Sequence, residues 1–499
     1  MNSRLKRCCA DRLSGLPDEL VCHILSSLPT KDAAVLSLSL RKMRRAFTQM
    51  TTLDFDDSPI SHCARKHPRL IERFQFFKMF VNSVLLASQS PHLSRFRLKF
   101  GGDWRITLLH FNQPSSICGI GCFPDLESTQ LNEWIGFPLS RSGVREIDIC
   151  IHVRKPEKLP SALFACESLH VLKIDTNLDF ELVSSMTSFR LPNLRVLELR
   201  LILIPEDDFV NRLLSNCPVL EDLCLDCWWK YGNSVTILSP SLKKLAIYLN
   251  RRDEFSDFIS IDTPNLRYLK YTDLAAVRYS VASMKALVKA SLHVWDYLDS
   301  YEAGFDSMLC LVKAVSNVKH LSLMCSGVDA LNYGELKNHL PVFHNLTSLK
   351  LGHSNDYTKW NPLLLELLKC CPLLQTLEFP RGLILNPVPE PSSDECEIEV
   401  VESERVFFRT NQGTPCCKSS LKKIFIKNYW GSIRELELVR FLLKIASVLE
   451  ELLIVCVDTV EKSSLETTLM HLPRASSNCS IIIKVARPRG LYSHQDCLN

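Results

Sequence analysis

Cys224 and Cys227 stand as a Cys-x-x-Cys pair, the spacing at which two thiolates can share one zinc ion. Cys118 with Cys122 could supply two more sulfurs. Against that chemistry, Cys224 alternates with Leu223 and Leu225, the period of a strand in which cysteine serves as a small hydrophobe. The expectation is no metal site and no cofactor. Other reactive spacings are missing: there is no Walker phosphate loop, no Gly-x-Ser-x-Gly elbow and no His-Glu-x-x-His pair. Gly119-Ile-Gly121 is a fragment of a dinucleotide fingerprint, with Pro124 where the third glycine belongs. Nothing in these spacings invites a catalytic site, so the chain is read as a non-enzyme.

The elements then have to position contacts instead of reactants. From Asp11 to Phe55 the chain reads as a docking module. Leu16, Leu20, Ile24, Leu25 and Leu28 fall at helical spacing, Pro17 suits a first turn, and Pro29 stops the helix. Thr30 is placed to cap a second helix running through Ala33, Ala34, Val35, Leu36 and Leu38, with Asp32 facing the positive end of its dipole. A third, basic helix carries Leu40, Met43 and Phe47 before an exit segment, Leu53-Asp54-Phe55-Asp56-Asp57. Three such short helices bury too little surface to stand securely alone, which leaves apolar side chains for a partner.

The chain has 499 residues, 46% of them hydrophobic and 23% charged, an ordinary globular composition with room for a sizeable core. A net charge of +4 is small for this length and argues against nucleic acid or anionic membrane as the main partner. No apolar run is long enough to span a bilayer and the first residues lack a signal-peptide core, so the expectation is a soluble protein of the nucleus, the cytoplasm or both. A reducing interior makes most of the 21 cysteines buried hydrophobes instead of disulfide partners.

Arg69 to Ala87 reads as a helix covering the open end of the next domain. From Leu93 an apolar triplet recurs at positions 1, 4 and 6. Its starts are Leu93, Val144, Leu169, Leu194, Leu220, Leu242, Leu266, Leu287, Val318, Leu346, Leu374, Leu421 and Leu449. The intervals lie between 21 and 31 residues except for two gaps of 51 and 47, each about two repeats long. Pro192, Pro218, Pro240, Pro264 and Pro372 precede five of the starts by two residues. Such periods suit leucine-rich repeats, each giving one short parallel strand and a returning segment. Strand alternation then turns Leu197 and Leu199 inward, and exposes Glu198, Arg200, Asp222, Asp226, His320, Met324 and Lys350 on a concave sheet. Lys244, Tyr248, Tyr268 and Lys270 face the same way and, with Trp228 and Trp229 at the rim, are the candidate target-binding residues. Between Pro387 and Glu404 three prolines and seven acidic residues mark an exposed loop. Beyond it come a strand and turn over 419–431, a helix over 435–446, and strands over 448–457 and 480–485.

Residues 11–57 resemble the F-box of plant F-box proteins: Asp-Arg-Leu-Ser-Gly-Leu-Pro-Asp-Glu-Leu, then Ile-Leu-Ser-Ser-Leu-Pro-Thr-Lys-Asp-Ala, then Leu-Asp-Phe-Asp-Asp. The third helix departs from the family, with Met43 and Phe47 in place of two tryptophans and Ser39 in place of a leucine. The end of the chain, from the Gly431 turn through Glu435-Leu-Glu-Leu-Val and Leu472-Pro-Arg-Ala-Ser-Ser, resembles the FBD module that closes many plant F-box/leucine-rich-repeat proteins.

The resemblance implies an α/β architecture: a three-helix F-box, a leucine-rich-repeat solenoid of short parallel strands, and a C-terminal αβ FBD cap. The corresponding layout is a tail over 1–10, F-box 11–57, helical linker 58–92, repeats 93–386, acidic loop 387–418, FBD 419–487 and a tail over 488–499. It also implies that Leu16, Pro17, Leu20, Ile24, Leu25, Leu28, Pro29, Leu40, Met43 and Phe47 dock a Skp-type adaptor and through it a cullin-RING ubiquitin ligase. The repeats would hold an unknown target protein, with neither nucleic acid nor membrane as partner. Two other readings stay open: a non-ligase scaffold whose F-box is weakened, and a co-receptor completed by a small molecule.

Overall fold

A computed structural model describes residues 15–57, 70–101, 124–155, 157–178, 190–204, 209–229, 235–251, 258–274, 279–281, 284–295, 303–324, 339–352, 361–383, 414–458, 460 and 462–486. The Cys118/Cys122 pair, the Gly119–Gly121 fragment, both tails and most of the acidic loop lie outside them. The chain divides into two compact units, residues 1–205 with 212–227, and residues 206–211 with 228–499.

The first unit opens with helices α1 (Asp18–Ser26), α2 (Thr30–Ser37) and α3 (Arg41–Thr48). Val21, Leu25, Ala33, Met43, Ala46 and Met50 form their core. Pro17 and Pro29 occupy the N-cap positions of α1 and α2, where the missing N–H costs nothing. Thr30 is helical and caps nothing; its hydroxyl accepts a hydrogen bond from Asp54 N at 2.7 Å. That bond ties α2 to the segment expected to be a mere exit, which is strand β1 (Thr52–Asp56). Its alternation buries Leu53 and Phe55 and leaves Asp54 and Asp56 on the other face.

β1 is followed by β2 (Arg95–Phe100), β3 (Glu146–Ile151), β4 (Val171–Thr176), β5 (Val196–Ile204) and β6 (Asp222–Trp229), neighbours in that order. The pairings β1·β2, β2·β3, β3·β4 and β4·β5 are parallel and in register. β2 pairs directly with β3, so the 51-residue gap is one long repeat and not two; helix Ser128–Leu139 lies in its return. The helix expected from Arg69 runs Leu70–Ala87. It packs on the inner face of the first two strands: Phe74 and Phe77 meet Phe100, and Phe80 meets Phe55, at ring-centroid distances of 5.6, 5.7 and 5.9 Å.

In the second unit β7 (Val235–Leu238), β9 (Ile259–Asp262) and β11 (Tyr279–Val281) make a small parallel sheet of their own, which the repeat pattern does not announce. The main strands there are β8 (Lys244–Arg251), β10 (Tyr268–Leu274), β12 (Lys289–Trp295), β13 (His320–Met324), β14 (Ser348–Gly352), β15 (Thr376–Phe379), β16 (Lys423–Tyr429), β17 (Glu451–Cys456) and β18 (Ser480–Val485). β15 pairs directly with β16, so the 47-residue gap is again a single repeat. Between β16 and β17 helix Ile433–Ile445 starts with a capping box: the amides of Trp430 and Ser432 donate to Glu435, whose own amide donates to Ser432 Oγ. Gly431, at φ +81°, makes the turn into it. Helix Lys462–Met470 lies between β17 and β18, where the sequence pattern predicts no element.

All thirteen repeat starts precede a strand by two residues, which fixes their side chains inward. An asparagine just before several of them donates to the preceding repeat: Asn193 to Glu167 O at 2.9 Å, Asn265 to Pro240 O at 2.7 Å and Asn317 to Lys285 O at 3.2 Å. Among the described residues no helix is long and apolar enough to cross a membrane.

Candidate protein-docking site

The three-helix module presents apolar side chains to solvent that its own core leaves out. Leu20, Ile24, Val35, Leu36 and Leu38 are exposed, Val35 to 60% and Leu38 to 73%. Two short helices cannot turn all these residues inward at once, because each offers its core only one stripe. Pro17 and Pro29 are also exposed, while Leu16, Leu28, Leu40 and Phe47 are partly buried against the core. Leu25 and Met43 correct the sequence reading: both are buried in the core, Met43 at 5% exposure, so neither offers surface to a partner. Val35, Leu36 and Leu38 are the residues that reading assigned only to a helix. The signal is present in two large apolar residues near the end of a helix of eight and a third, Leu38, at its C-cap. Lys42 holds the entrance of the module, donating to Leu16 O and pairing with Asp18 at 3.2 Å.

In the second unit the outer face of β8, β10 and β12 gathers the expected lysines and tyrosines in an arrangement unlike the one foreseen. Tyr268 lies opposite Lys244, and Tyr248 opposite Thr272, so the two tyrosines are four residues apart along the register and not side by side. Each lies under a cation, Lys289 Nζ at 5.4 Å from the Tyr268 ring centroid and Lys270 Nζ at 5.7 Å from that of Tyr248. Lys244 is exposed, but Lys270 is only 3% exposed, a correction to its expected place on an open face. Ser291, His293 and Ser322 on the neighbouring strands are buried as well. Burial and the nearby Lys270 and Arg381 charges hold His293 down at about 3, so it is neutral at physiological pH. Trp228 and Trp229 end β6, and their side chains lie outside the described residues.

The outer face of the first unit carries charges of alternating sign. Register places Asp54, Arg97, Asp148, Lys173 and Glu198 side by side on β1 to β5. Arg97 reaches Asp54 at 3.4 Å and Asp148 at 3.5 Å, and Lys173 reaches Glu198 at 2.7 Å. Burial pushes the Asp148 carboxyl up, against the pull of Arg97 and Lys173. Burial would raise Glu198 too, but Lys173 and Arg200 outweigh it and hold that carboxyl low. Each charge is answered by its neighbour, so the row has no single-sign field for a polyanion.

Comparison with known proteins matches three segments of the chain to family models. Residues 13–50 match the F-box domain model, 131–332 the model for the LRR repeats of the FBD-associated F-box protein At5g56370, and 413–454 the FBD model. Among Arabidopsis thaliana proteins, the putative F-box/LRR-repeat protein At3g58920 is 32% identical over 95% of this chain and 99% of its own length. The F-box/LRR-repeat protein At4g14096 is 30% identical over 95% of this chain and 94% of its own length. The putative F-box/FBD/LRR-repeat protein At3g59240 is 29% identical over 95% of this chain and 89% of its own length.

Proposed function

The chain belongs to the plant F-box/FBD/LRR-repeat family, and from that premise we propose that it is the substrate-recognition subunit of an SCF-type, cullin-RING ubiquitin ligase. The observation that carries this reading is the exposed apolar set Leu20, Ile24, Val35, Leu36 and Leu38 on a module whose core is already filled. Such a set fits a partner with an apolar groove, and a Skp-type adaptor is the partner the F-box match suggests. The sheet faces would hold the target protein, through Lys244 and the cation-covered Tyr248 and Tyr268 in the second unit. In this reading the bond-making chemistry belongs to other subunits, and the chain contributes proximity between target and transferring enzyme. The scaffold alternative rests on Met43, Phe47 and Ser39 in place of two tryptophans and a leucine; Met43 lies in the core and Phe47 packs partly against it, and none of the three belongs to the exposed apolar set.

The test is co-purification with a Skp-type adaptor. Leu20→Asp combined with Leu36→Asp should weaken binding at least about tenfold, since each places a charge where an apolar contact is needed. Because both side chains are solvent-exposed, the thermal unfolding midpoint should stay within a few degrees of the parent. Adaptor binding that survives this double change at full strength would refute the docking assignment.

A further inference from the structure

We propose that Cys150, His152 and Asp175 form a zinc-binding site on the sheet of the first unit. Cys150 and Asp175 are directly opposed in the β3·β4 register. His152 lies two residues beyond Cys150, on the same side of the chain by strand alternation. Its Nδ1 is 3.9 Å from Cys150 Sγ and its Nε2 3.3 Å from Asp175 Oδ1. With one donor atom from each residue, the three lie within 4.8 Å of one another, the one such group of three among the described residues. The imidazole gives a metal only one of its two nitrogens, and zinc bonds of roughly 2.0–2.3 Å put tetrahedral donors about 3.3–3.6 Å apart, so the three donor atoms must rotate inward from their present spacing of up to 4.8 Å to close the site.

The backbone around the three donors is already fixed. His152 N donates to Phe100 O at 2.9 Å. The Asn177 side chain clamps Val153 through both its atoms, at 3.0 Å to the amide and 2.7 Å to the carbonyl. Thr176 Oγ1 donates to Ile151 O at 2.6 Å. A Cβ at residue 101 would collide with the His152 carbonyl, which is why glycine stands there at φ +96°. A rigid shell of this kind lowers the ordering cost of coordination.

Donor chemistry selects the ion. One thiolate, one imidazole and one carboxylate suit zinc, whereas calcium and magnesium take oxygen alone. Burial pushes the Cys150 thiol well above its ordinary range, so binding releases its proton as the zinc–sulfur bond forms. The resulting thiolate and the Asp175 carboxylate together balance the dication. Lys99 and Arg200 flank the pair in register, and Asp57 and Asp148 offset them. Three protein donors leave a fourth position for water or for a donor atom of a bound molecule.

The test uses the full-length chain, stripped with a chelator and titrated with zinc or with cobalt(II). One equivalent should be retained. Cobalt should give tetrahedral visible bands with a thiolate charge-transfer band, and X-ray absorption should count one sulfur at the metal. Cys150→Ser should abolish the charge-transfer band, and Asp175→Asn should weaken binding about tenfold or more, while Cys224→Ser, as a control, changes neither. Should either variant fail to fold, the sulfur count on the parent chain still decides. Two or more sulfurs at the metal, no retained metal, or an unchanged spectrum in Cys150→Ser would overturn the site.

Discussion

Leu197 and Tyr268 occupy strands of the same kind yet have opposite jobs. Leu197 is buried completely on the inner face of β5, and Leu197→Ala should cost roughly 2–5 kcal/mol through lost burial and a residual cavity. Tyr268 is half-buried on an outer face beneath Lys289, and Tyr268→Ala should cost about 1 kcal/mol or less while weakening target capture. Thermal unfolding beside a pull-down separates the two. If Tyr268→Ala unfolds the protein as severely as Leu197→Ala does, the outer face is structural and carries no target. Lys270, in contrast, is too deeply covered to serve as a first contact, and its cation is already engaged with Tyr248.

Between elements, the parallel register turns isolated charges into bridges across strands. Glu378 on β15 accepts from Lys350 on β14 at 2.9 Å and from Lys427 on β16 at 3.1 Å. Burial alone would raise its pKa, but the two ammonium groups outweigh that and hold it below the ordinary glutamate range. A carboxyl depressed in the folded state adds stability above its unfolded pKa, and that contribution is lost as pH falls through the folded pKa. Glu378→Gln should therefore cost on the order of 1 kcal/mol at neutral pH. The difference from the parent should shrink as acid protonates the parent's carboxyl. Denaturant midpoints measured from neutral to acidic pH check this, and a difference independent of pH would show the bridge to be inert.

For the whole molecule, the consequence lies in how the docking module is joined to the repeats. β1 is at once the exit from the helices, through Asp54 N and Thr30 Oγ1, and the first strand of the sheet, through its pairing with β2. Deleting residues 1–57 would open the β2 edge and strip Arg97 of Asp54 and Asp56. Deleting only 1–50 keeps β1 in place. The longer deletion should yield less soluble protein with a lower unfolding midpoint, and equal behaviour of the two would mean that β1 is dispensable to the sheet.

The sequence by itself determined the inner face. Thirteen apolar starts at regular spacing specify the strands and their register, because a one-residue slip would turn Leu197 or Leu245 into water. It also determined the three helices and the Gly431–Glu435 turn, whose signals are local. Tertiary structure alone decided which neighbours meet. Sequence spacing does not distinguish Met43 in a core from Met43 at a surface, since the single apolar stripe of a short basic helix can serve either. Nor does it reveal that two long gaps are single repeats, that Lys270 is covered, or that Cys150 and Asp175 face each other. Those facts depend on pairing between strands distant along the chain, and that pairing is a property of the folded sheet.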